Sequence, residues 1–154
     1  MMRLFIAINF KNEMINRLVA LRDELKETSS RGRFAQSENL HLTLVFIGEC
    51  DVEQTAMIKS IMDTITFEPF DLTVDRVGCF KRDSGDIWWA GVRKSDSLLE
   101  LYENLTSKLQ ESGFKLEKYK YSPHITLGRN VVTKANPQQI EPFGETVSII
   151  DFDI

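Results

Sequence analysis

The chain has 154 residues, of which 42% are hydrophobic and 27% are charged, and its formal net charge is −4. This composition is typical of one folded domain with a hydrophobic core, and it excludes a disordered or low-complexity chain. The acidic balance argues against a protein that binds duplex nucleic acid along a strongly basic face. It is compatible with a local basic patch that binds a small or terminal nucleic-acid ligand.

The first residues and the cysteines indicate a cytoplasmic protein. Met1–Arg3 leads directly into LFIAINF, which is shorter than a secretory signal, and no later apolar run reaches the length of a membrane span. Cys50 and Cys79 have neither metal-binding nor redox spacing, so we interpret them as reduced structural thiols. We expect no membrane association, and a monomer is the default.

The first part of the chain predicts a strand, a helix and a loop. The apolar stretch 3–10, RLFIAINF, is a short strand candidate. Residues 11–30 predict an amphipathic helix, since apolar residues recur there at helical spacing between charges. These apolar positions are Met14, Leu18, Leu21 and Leu25. The polar stretch 30–39, SRGRFAQSEN, predicts a loop that leads into a short extended segment.

Residues 40–49, LHLTLVFIGE, form the clearest predicted strand. One face carries Leu40, Leu42, Leu44 and Phe46, and the other carries His41, Thr43 and Val45. This alternation predicts that Phe46 lies in the core.

A helix is predicted directly after this strand. Asp51 is a candidate N-cap, and Gln54 three residues later completes the pattern of a capping box. The predicted apolar face of the helix holds Ala56, Ile58, Ile61, Met62 and Ile65.

The second half of the chain predicts four strands and one helix. Strands are expected at 69–80 and 86–92, around the turn-rich KRDSG. The helix spans 95–113 and ends at Gly113 as its C′ residue; its apolar side carries Leu98, Leu101, Leu105 and Leu109. Residues 124–131, HITLGRNV, predict a strand, 132–145 a loop, and 146–154 a final strand. The chain stops in mid-alternation, so the last sheet edge is expected to be incomplete.

This order of elements predicts an α+β fold in which helices pack on antiparallel sheet. No linker or charge run divides the chain, so residues 1–154 are expected to form a single domain. Two strands that carry the same motif suggest two pseudo-symmetric lobes.

The only two histidines of the chain stand in that repeated motif. His41 lies in HLTL and His124 in HITL, so both occupy the frame His-apolar-Thr-Leu. Strand alternation places each histidine on the same face as its threonine, Thr43 or Thr126, about 6.5–7 Å apart along the strand. If the two strands flank a groove, both imidazoles and both hydroxyls face it.

Two imidazoles that face one substrate suit general acid–base catalysis. Free histidine titrates near pH ~6.5, so one ring can accept a proton while the other donates one. Displacement at phosphorus requires both events, and the threonine hydroxyls can donate hydrogen bonds to the non-bridging oxygens. A lone His-x-Thr is close to noise, whereas two copies that use every histidine favour a functional site.

Other site classes are less well supported by the sequence. A catalytic zinc site takes about three protein ligands, and no third histidine, paired cysteine or HExxH cluster is present. There is no GxSxG elbow for a serine nucleophile. There is no P-loop or dinucleotide-binding glycine fingerprint. We therefore expect neither a metal nor a cofactor.

The paired motifs and their flanks resemble the two-histidine phosphoesterases. Within them the chain is similar to the bacterial and archaeal RNA 2′,3′-cyclic phosphodiesterases, also called LigT-like or 2′-5′ RNA ligase proteins. The similarity covers nearly the whole chain: RLFIAINF resembles the first strand of the family, ENLHLTLVFIGE the first motif, IWWAGV the central strand and YSPHITLGR the second motif. Family members usually continue beyond the last strand seen here.

The resemblance implies a bilobal fold with a groove between two antiparallel sheets and helices packed outside. It also implies hydrolysis of a 2′,3′-cyclic phosphate at an RNA 3′ end to a 2′-phosphate. His124 would activate water, His41 would protonate the leaving 3′ oxygen, and Thr43 and Thr126 would hold the phosphate. The residues alone do not rank the two imidazoles.

Arg129 ends the second motif in a position where the family also has arginine, which implies phosphate binding. Strict alternation, however, places Arg129 on the face opposite His124 and Thr126. Either the strand ends or twists after Gly128, or the arginine has a structural role.

Several residues have weaker functional interpretations. Trp88 and Trp89 point to opposite faces, so at least one is expected in the core, and the other could stack a base. Tyr119 and Tyr121, among Lys115, Lys118 and Lys120, could contact RNA, but we favour a solvated basic loop. For Arg31 and Arg33, before the first motif, the sequence likewise does not decide between contact with RNA and a solvated surface position.

Three functional hypotheses follow. The first is a metal-independent RNA 2′,3′-cyclic phosphodiesterase acting on RNA 3′ ends or cyclic nucleotides. The second is a module that binds phosphorylated RNA ends without chemistry, for which arginine or lysine would be the more natural ligands. The third is a phosphodiesterase for another cyclic or 2′-5′ nucleotide, with ligation as a side activity, since fold alone does not choose the substrate.

Overall fold

The computed structural model describes residues 1–116 and 120–153, the last two by their backbone alone. Its strands are β1 (Met2–Ile8), β2 (Ser29–Phe34), β3 (Leu42–Cys50), β4 (Phe70–Phe80), β5 (Asp86–Val92), β6 (His124–Thr133), β7 (Gln138–Val147) and β8 (Asp151–Asp153). Its helices are α1 (Asn12–Glu27), α2 (Val52–Thr64) and α3 (Asp96–Glu111), and a short 3₁₀ turn covers Ser37–Asn39.

The strands form two antiparallel sheets. The small sheet has the order β3-β1-β8, and the large sheet has the order β2-β6-β5-β4-β7. Helix α1 packs on the large sheet, at β2, β6 and β7, while α2 and α3 contact each other and β3. The predicted α+β class with two sheets is therefore confirmed, and the two motif strands belong to different sheets.

The helix-facing sides of both sheets form the core. All four leucines predicted on the apolar side of α3 are buried: Leu98, Leu101, Leu105 and Leu109. Trp88 on β5 is only 1% exposed, which confirms that at least one of the two tryptophans is a core residue. Burial of apolar side chains supplies the main driving force that joins the two lobes.

The predicted helix ends are observed. The Asp51 carboxylate accepts from the Gln54 backbone N–H at 2.8 Å, and the Gln54 side chain accepts from the Asp51 N–H at 2.9 Å, which forms the capping box. After α3, Gly113 adopts a φ of 96°, a left-handed conformation that favours glycine. One detail of α2 differs, because Thr55 is buried and Ala56 is exposed. The Thr55 hydroxyl donates to the Asp51 carbonyl at 2.7 Å, so burial leaves no hydroxyl unpaired.

Two segments predicted as loops are strands. Residues 29–34 form β2, an edge strand of the large sheet that pairs with β6. Residues 138–147 form the opposite edge, β7, although this stretch contains Pro142 and Gly144. The proline lies where the register with β4 shifts between Val74 and Arg76, and edge strands tolerate a missing donor. A side chain at 144 would collide with the Leu72 carbonyl oxygen, so only glycine lets the strands approach there.

The final predicted strand, 146–154, is also divided. Its first two residues end β7, and Asp151–Asp153 form β8 beside β1 of the other sheet. Across residues 1–116 and 120–153, none of the helices combines the length and apolar character that crossing a bilayer requires.

Candidate active site

A groove of about 560 Å³ lies between the small and the large sheet. His41 and Thr43 line one wall, and His124 and Thr126 line the other. The two motifs therefore meet as their pattern predicts. None of the described residues lining the groove carries a carboxylate, whereas Arg33 and Arg129 do line it, so the groove favours an anionic ligand even though the chain is acidic.

A β-bulge in β3 changes which side chains point to the groove after the first motif. Ile6 pairs with Val45 and Ala7 pairs with Thr43, so Leu44 is an extra residue on β3. Leu44 and Val45 are consequently both buried, and the alternation is reversed beyond them. Phe46 is 51% exposed and lines the groove, so its predicted core position is wrong.

The second motif contains the same irregularity. Trp88 pairs with Gly128 and Trp89 pairs with Thr126, which makes Leu127 the extra residue on β6. Leu127 and Gly128 are both buried, and Arg129 next to them is exposed and lines the groove. Strict alternation does not hold here, and of the two alternatives left by the sequence the structure shows an irregular strand, with the bulge at Leu127, that brings Arg129 to the groove.

The two bulges stand at equivalent positions. Leu44 and Leu127 each follow their histidine by three residues, and Phe46 and Arg129 each follow it by five. Each motif strand thus presents an imidazole, a hydroxyl and, five residues after the histidine, one further large side chain to the groove. The pseudo-symmetry of the two lobes extends from the motif residues to the backbone irregularity that follows them.

The orientation of His124 is fixed by its own chain. Its Nδ1 lies 2.7 Å from the Ser122 carbonyl oxygen, and because a carbonyl only accepts, Nδ1 must carry the proton. The ring also contacts Phe80 edge-on at 5.3 Å between centroids and Trp89 at 6.0 Å. Nε2 is left as the nitrogen that can accept or donate a proton in the groove.

The first histidine is supported by stacking. The His41 ring is half-buried, and its centroid lies 5.0 Å from that of Phe5 on β1, with 31° between the planes. Phe5 is not part of either motif and was not singled out from the sequence. The sequence signal that could have identified Phe5 is its position in β1, where it alternates with Leu4 and Ile6. Both neighbours are buried, and Phe5 pairs with Phe46.

Tyr121 connects the two walls. Its hydroxyl donates to the Thr43 carbonyl at 3.0 Å, and its ring stacks on Tyr102 of α3 with 4.2 Å between centroids. The solvated loop favoured from the sequence is therefore wrong for Tyr121, which is half-buried. Lys118 and Tyr119 lie outside the described residues.

The arginines near the groove differ in their partners. Within the described part of the chain, the Arg129 guanidinium makes neither a hydrogen bond nor an ion pair. Arg33, its cross-strand neighbour on β2, donates to the Asn130 side-chain oxygen at 3.4 Å and lines the groove. Arg31 instead donates to the Ser84 carbonyl at 3.2 Å and does not line the groove.

The two cysteines lie outside the groove lining. Cys50 and Cys79 are free thiols, and burial raises the pKa of both, which favours the protonated, less reactive form. Among the residues that the structure describes, no group of three His, Cys, Asp or Glu side chains is placed to hold a metal ion.

Comparison with known proteins gives consistent matches. The model of the LigT-like phosphoesterase family matches residues 8–89. An RNA 2′,3′-cyclic phosphodiesterase of Thermotoga maritima is 37% identical over 131 aligned positions, covering 83% of this chain and 70% of that protein. An enzyme of the same name from Archaeoglobus fulgidus is 32% identical over 160 aligned positions, covering 98% of this chain and 88% of its own.

A solved structure has the same fold along nearly the whole chain. LigT from Escherichia coli, crystallised in complex with 3′-AMP, superposes with a TM-score of 0.82 at 28% identity. The superposition covers 97% of this chain and 86% of that one.

Proposed function

The chain belongs to the LigT-like phosphoesterase family, and on that premise we propose that it hydrolyses the 2′,3′-cyclic phosphate at RNA 3′ ends to a 2′-phosphate. The observation that carries this proposal is the placement of both imidazoles on facing walls of one anion-attracting groove. Relatives named for this activity, at up to 37% identity, support the same reaction.

His124 acts as the general base in this proposal. With Nδ1–H donated to the Ser122 carbonyl, a neutral His124 ring has its lone pair on Nε2. Nε2 takes a proton from water as the water oxygen forms a bond to phosphorus. The carbonyl partner then stabilises the imidazolium, because Nδ1 remains a donor in that state as well.

His41 acts as the general acid. The bond from phosphorus to O3′ breaks opposite the attacking water, and a protonated His41 delivers its proton to O3′. The product keeps the phosphate on O2′. One proton enters at His124 and one leaves from His41, so exchange with solvent restores both rings.

Three further side chains hold the phosphate. The hydroxyls of Thr43 and Thr126 lie on opposite walls, so they can donate to different non-bridging oxygens. The Arg129 guanidinium, with no partner among the described residues, supplies the charge that matches a phosphate undergoing displacement. None of these roles requires a metal ion.

Phe46 gives the groove an apolar surface for the nucleoside. A ring that is 51% exposed, in a groove whose described lining residues include no carboxylate, can stack a base. The arrangement thus pairs a cationic residue for phosphate with an aromatic residue for a base.

The decisive test uses a short RNA that ends in a 2′,3′-cyclic phosphate, with EDTA present and with 2′- and 3′-phosphate products resolved. We expect 2′-phosphate from the wild type and almost none from His124→Ala. Tight binding of this RNA without turnover would instead identify a capture module. Turnover restricted to a different cyclic or 2′-5′ phosphodiester would replace the substrate class. We also propose that the protein is cytoplasmic and monomeric.

A further inference from the structure

The groove face of the small sheet carries a cation beside its exposed aromatic residue. Along β1, Leu4 and Ile6 are buried, so Arg3 and Phe5 point to the groove side of the sheet. The Arg3 Cζ atom lies 6.0 Å from the centroid of the Phe46 ring. Arg3 does not itself line the groove, but through Phe46 it adjoins the surface that receives the nucleoside in the proposed function.

Arg3 makes no ion pair among the residues that the structure describes. Glu49, its partner across β1 and β3, is exposed and makes no ion pair with it. Arg3 itself is exposed, and its guanidinium lies beside the Phe46 ring. A guanidinium placed in this way can hydrogen-bond a phosphate while its stem stays on the aromatic ring.

The direction of the reaction decides which wall the RNA strand meets. The water attacks from the side of His124, and O3′ departs towards His41, so the ribose that bears O3′ lies on the side of the small sheet. The only phosphate that an RNA substrate adds to this terminal nucleoside is the one on its 5′ oxygen. A mononucleoside cyclic phosphate lacks that group.

We propose that Arg3 binds the phosphate on the 5′ oxygen of the terminal nucleoside, which makes the enzyme selective for RNA ends over free cyclic nucleotides. This inference rests on the proposed function and on the assignment of His41 as the acid. It gives the small sheet a second role beside protonation of the leaving group, namely recognition of the polynucleotide.

On the side of the large sheet, another arginine lies beside an aromatic ring and can be compared with Arg3. Arg82 lies with its Cζ 5.8 Å from the Phe80 ring, and Phe80 contacts His124. Arg82 is exposed, and in the described part of the chain its side chain makes no ion pair. If the ribose lay on the side of His124 instead, the strand would meet the cations of the large sheet, among which Arg82, like Arg3, lies beside an aromatic ring and outside the groove lining.

The test compares three substrates that differ only at the 5′ oxygen: a nucleoside 2′,3′-cyclic phosphate, its 5′-phosphorylated form, and a dinucleotide ending in the same cyclic phosphate. For the wild type we expect kcat/KM to be about tenfold higher for the last two, the effect of one charge-assisted hydrogen bond. Arg3→Ala should reduce that ratio to about one, and Arg3→Lys should restore part of it because the charge is kept.

The salt dependence of kcat/KM distinguishes the loss of a phosphate contact from an indirect effect of the substitution on the shape of the site. The slope of log kcat/KM against log salt for the dinucleotide should become shallower by about 0.7 in Arg3→Ala, the value for one phosphate contact on a single strand. Arg17→Ala is the matched control, since Arg17 stacks on Phe143 at 4.8 Å and neither residue lines the groove. The control should keep the wild-type ratio and slope.

Two results would overturn the proposal. The substrate ratio could stay near tenfold in Arg3→Ala, or it could fall in Arg82→Ala alone. Failure of the proposed function is a separate result, because the wild type would then hydrolyse none of the three substrates. Calorimetric binding of nucleoside 2′-phosphate and nucleoside 2′,5′-bisphosphate tests the Arg3 contact without turnover. Arg3→Ala should remove the preference for the bisphosphate.

Discussion

Strands β3 and β6 contain the same motif and the same bulge, yet each presents a different side chain after it. Leu44 and Leu127 are the extra residues, and the chain then turns Phe46 into the groove on one wall and Arg129 on the other. The shared part can supply proton transfer. In the proposed function, the unshared part divides recognition between a base and a phosphate.

The supports of the two imidazoles differ as well. His124 is held by a backbone carbonyl and by the edge of Phe80, while His41 stacks on Phe5. Because the Ser122 carbonyl places the proton of a neutral His124 on Nδ1, the lone pair is on Nε2 in the groove, as the proposed base requires. The two nearly identical motifs do not reveal this by themselves.

Removing either imidazole should have the largest effect. His41→Ala and His124→Ala should each lower kcat by about 10²–10⁴-fold, the usual contribution of a positioned acid or base. The measurement is single-turnover hydrolysis of the cyclic-phosphate RNA. Unchanged circular dichroism and melting temperature would show that the variants are folded. More than half of the activity remaining in either variant would contradict a shared acid–base mechanism.

A leaving group that needs no proton sharpens this comparison. When sulfur replaces O3′, the thiol that leaves has a pKa of about 8.5 and departs readily as a thiolate. His41→Ala should regain most of its lost rate on this substrate, and His124→Ala should not. Recovery in His124→Ala instead would exchange the roles of the two residues.

Arg129→Ala should rank next, with kcat lowered by about 10²-fold, because a donor aimed at developing phosphate charge is lost. Arg129→Lys is the matched control. It keeps the charge but not the paired donors and should recover only part of the rate. An effect confined to KM would mean that the arginine binds substrate and transition state equally.

Phe46→Ala should raise KM by about tenfold with little change in kcat, since one base–aromatic stack contributes about 1–3 kcal/mol. Phe46→Tyr preserves the ring and should behave like the wild type. The proposed division of roles between the two walls would be contradicted if Phe46→Ala lowered kcat and Arg129→Ala raised only KM.

Tyr121→Phe should have the smallest effect. It removes the hydrogen bond to the Thr43 carbonyl but leaves the stack on Tyr102, so we expect about 1 kcal/mol less unfolding free energy. Urea denaturation measures this change. Because the bond joins the two walls, kcat should fall by about two- to threefold at most, and an unchanged stability would mean that water replaces the bond.

Local pattern predicted much of this molecule. An apolar run predicted β1, alternation predicted β3, helical spacing predicted the buried leucines of α3, and the Asp51–Gln54 pattern predicted a capping box. The pairing of His41 with His124 followed from a repeat in the sequence. Each of these signals arises from residues that are close in the chain.

The misassigned features depend on partners that are distant in the chain. The bulge at Leu44 is defined only by the register with β1, and the register with β5 defines the one at Leu127. Strict alternation therefore misplaced Phe46 and Arg129, which are the two residues that distinguish the walls. Similarly, Pro142 and Gly144 indicate a loop until β4 is known to lie beside them.

The bulges also bear on how the small sheet avoids self-association. Strand β3 is an edge strand, and a flat edge with free N–H and C=O groups is a template on which a strand of another molecule can pair. Register shifts next to Phe5 and Ala7 twist this edge, and the Tyr121 hydroxyl already occupies one of its carbonyls. The irregularity that turns Phe46 towards the groove therefore also makes β3 a poor nucleus for intermolecular sheet growth.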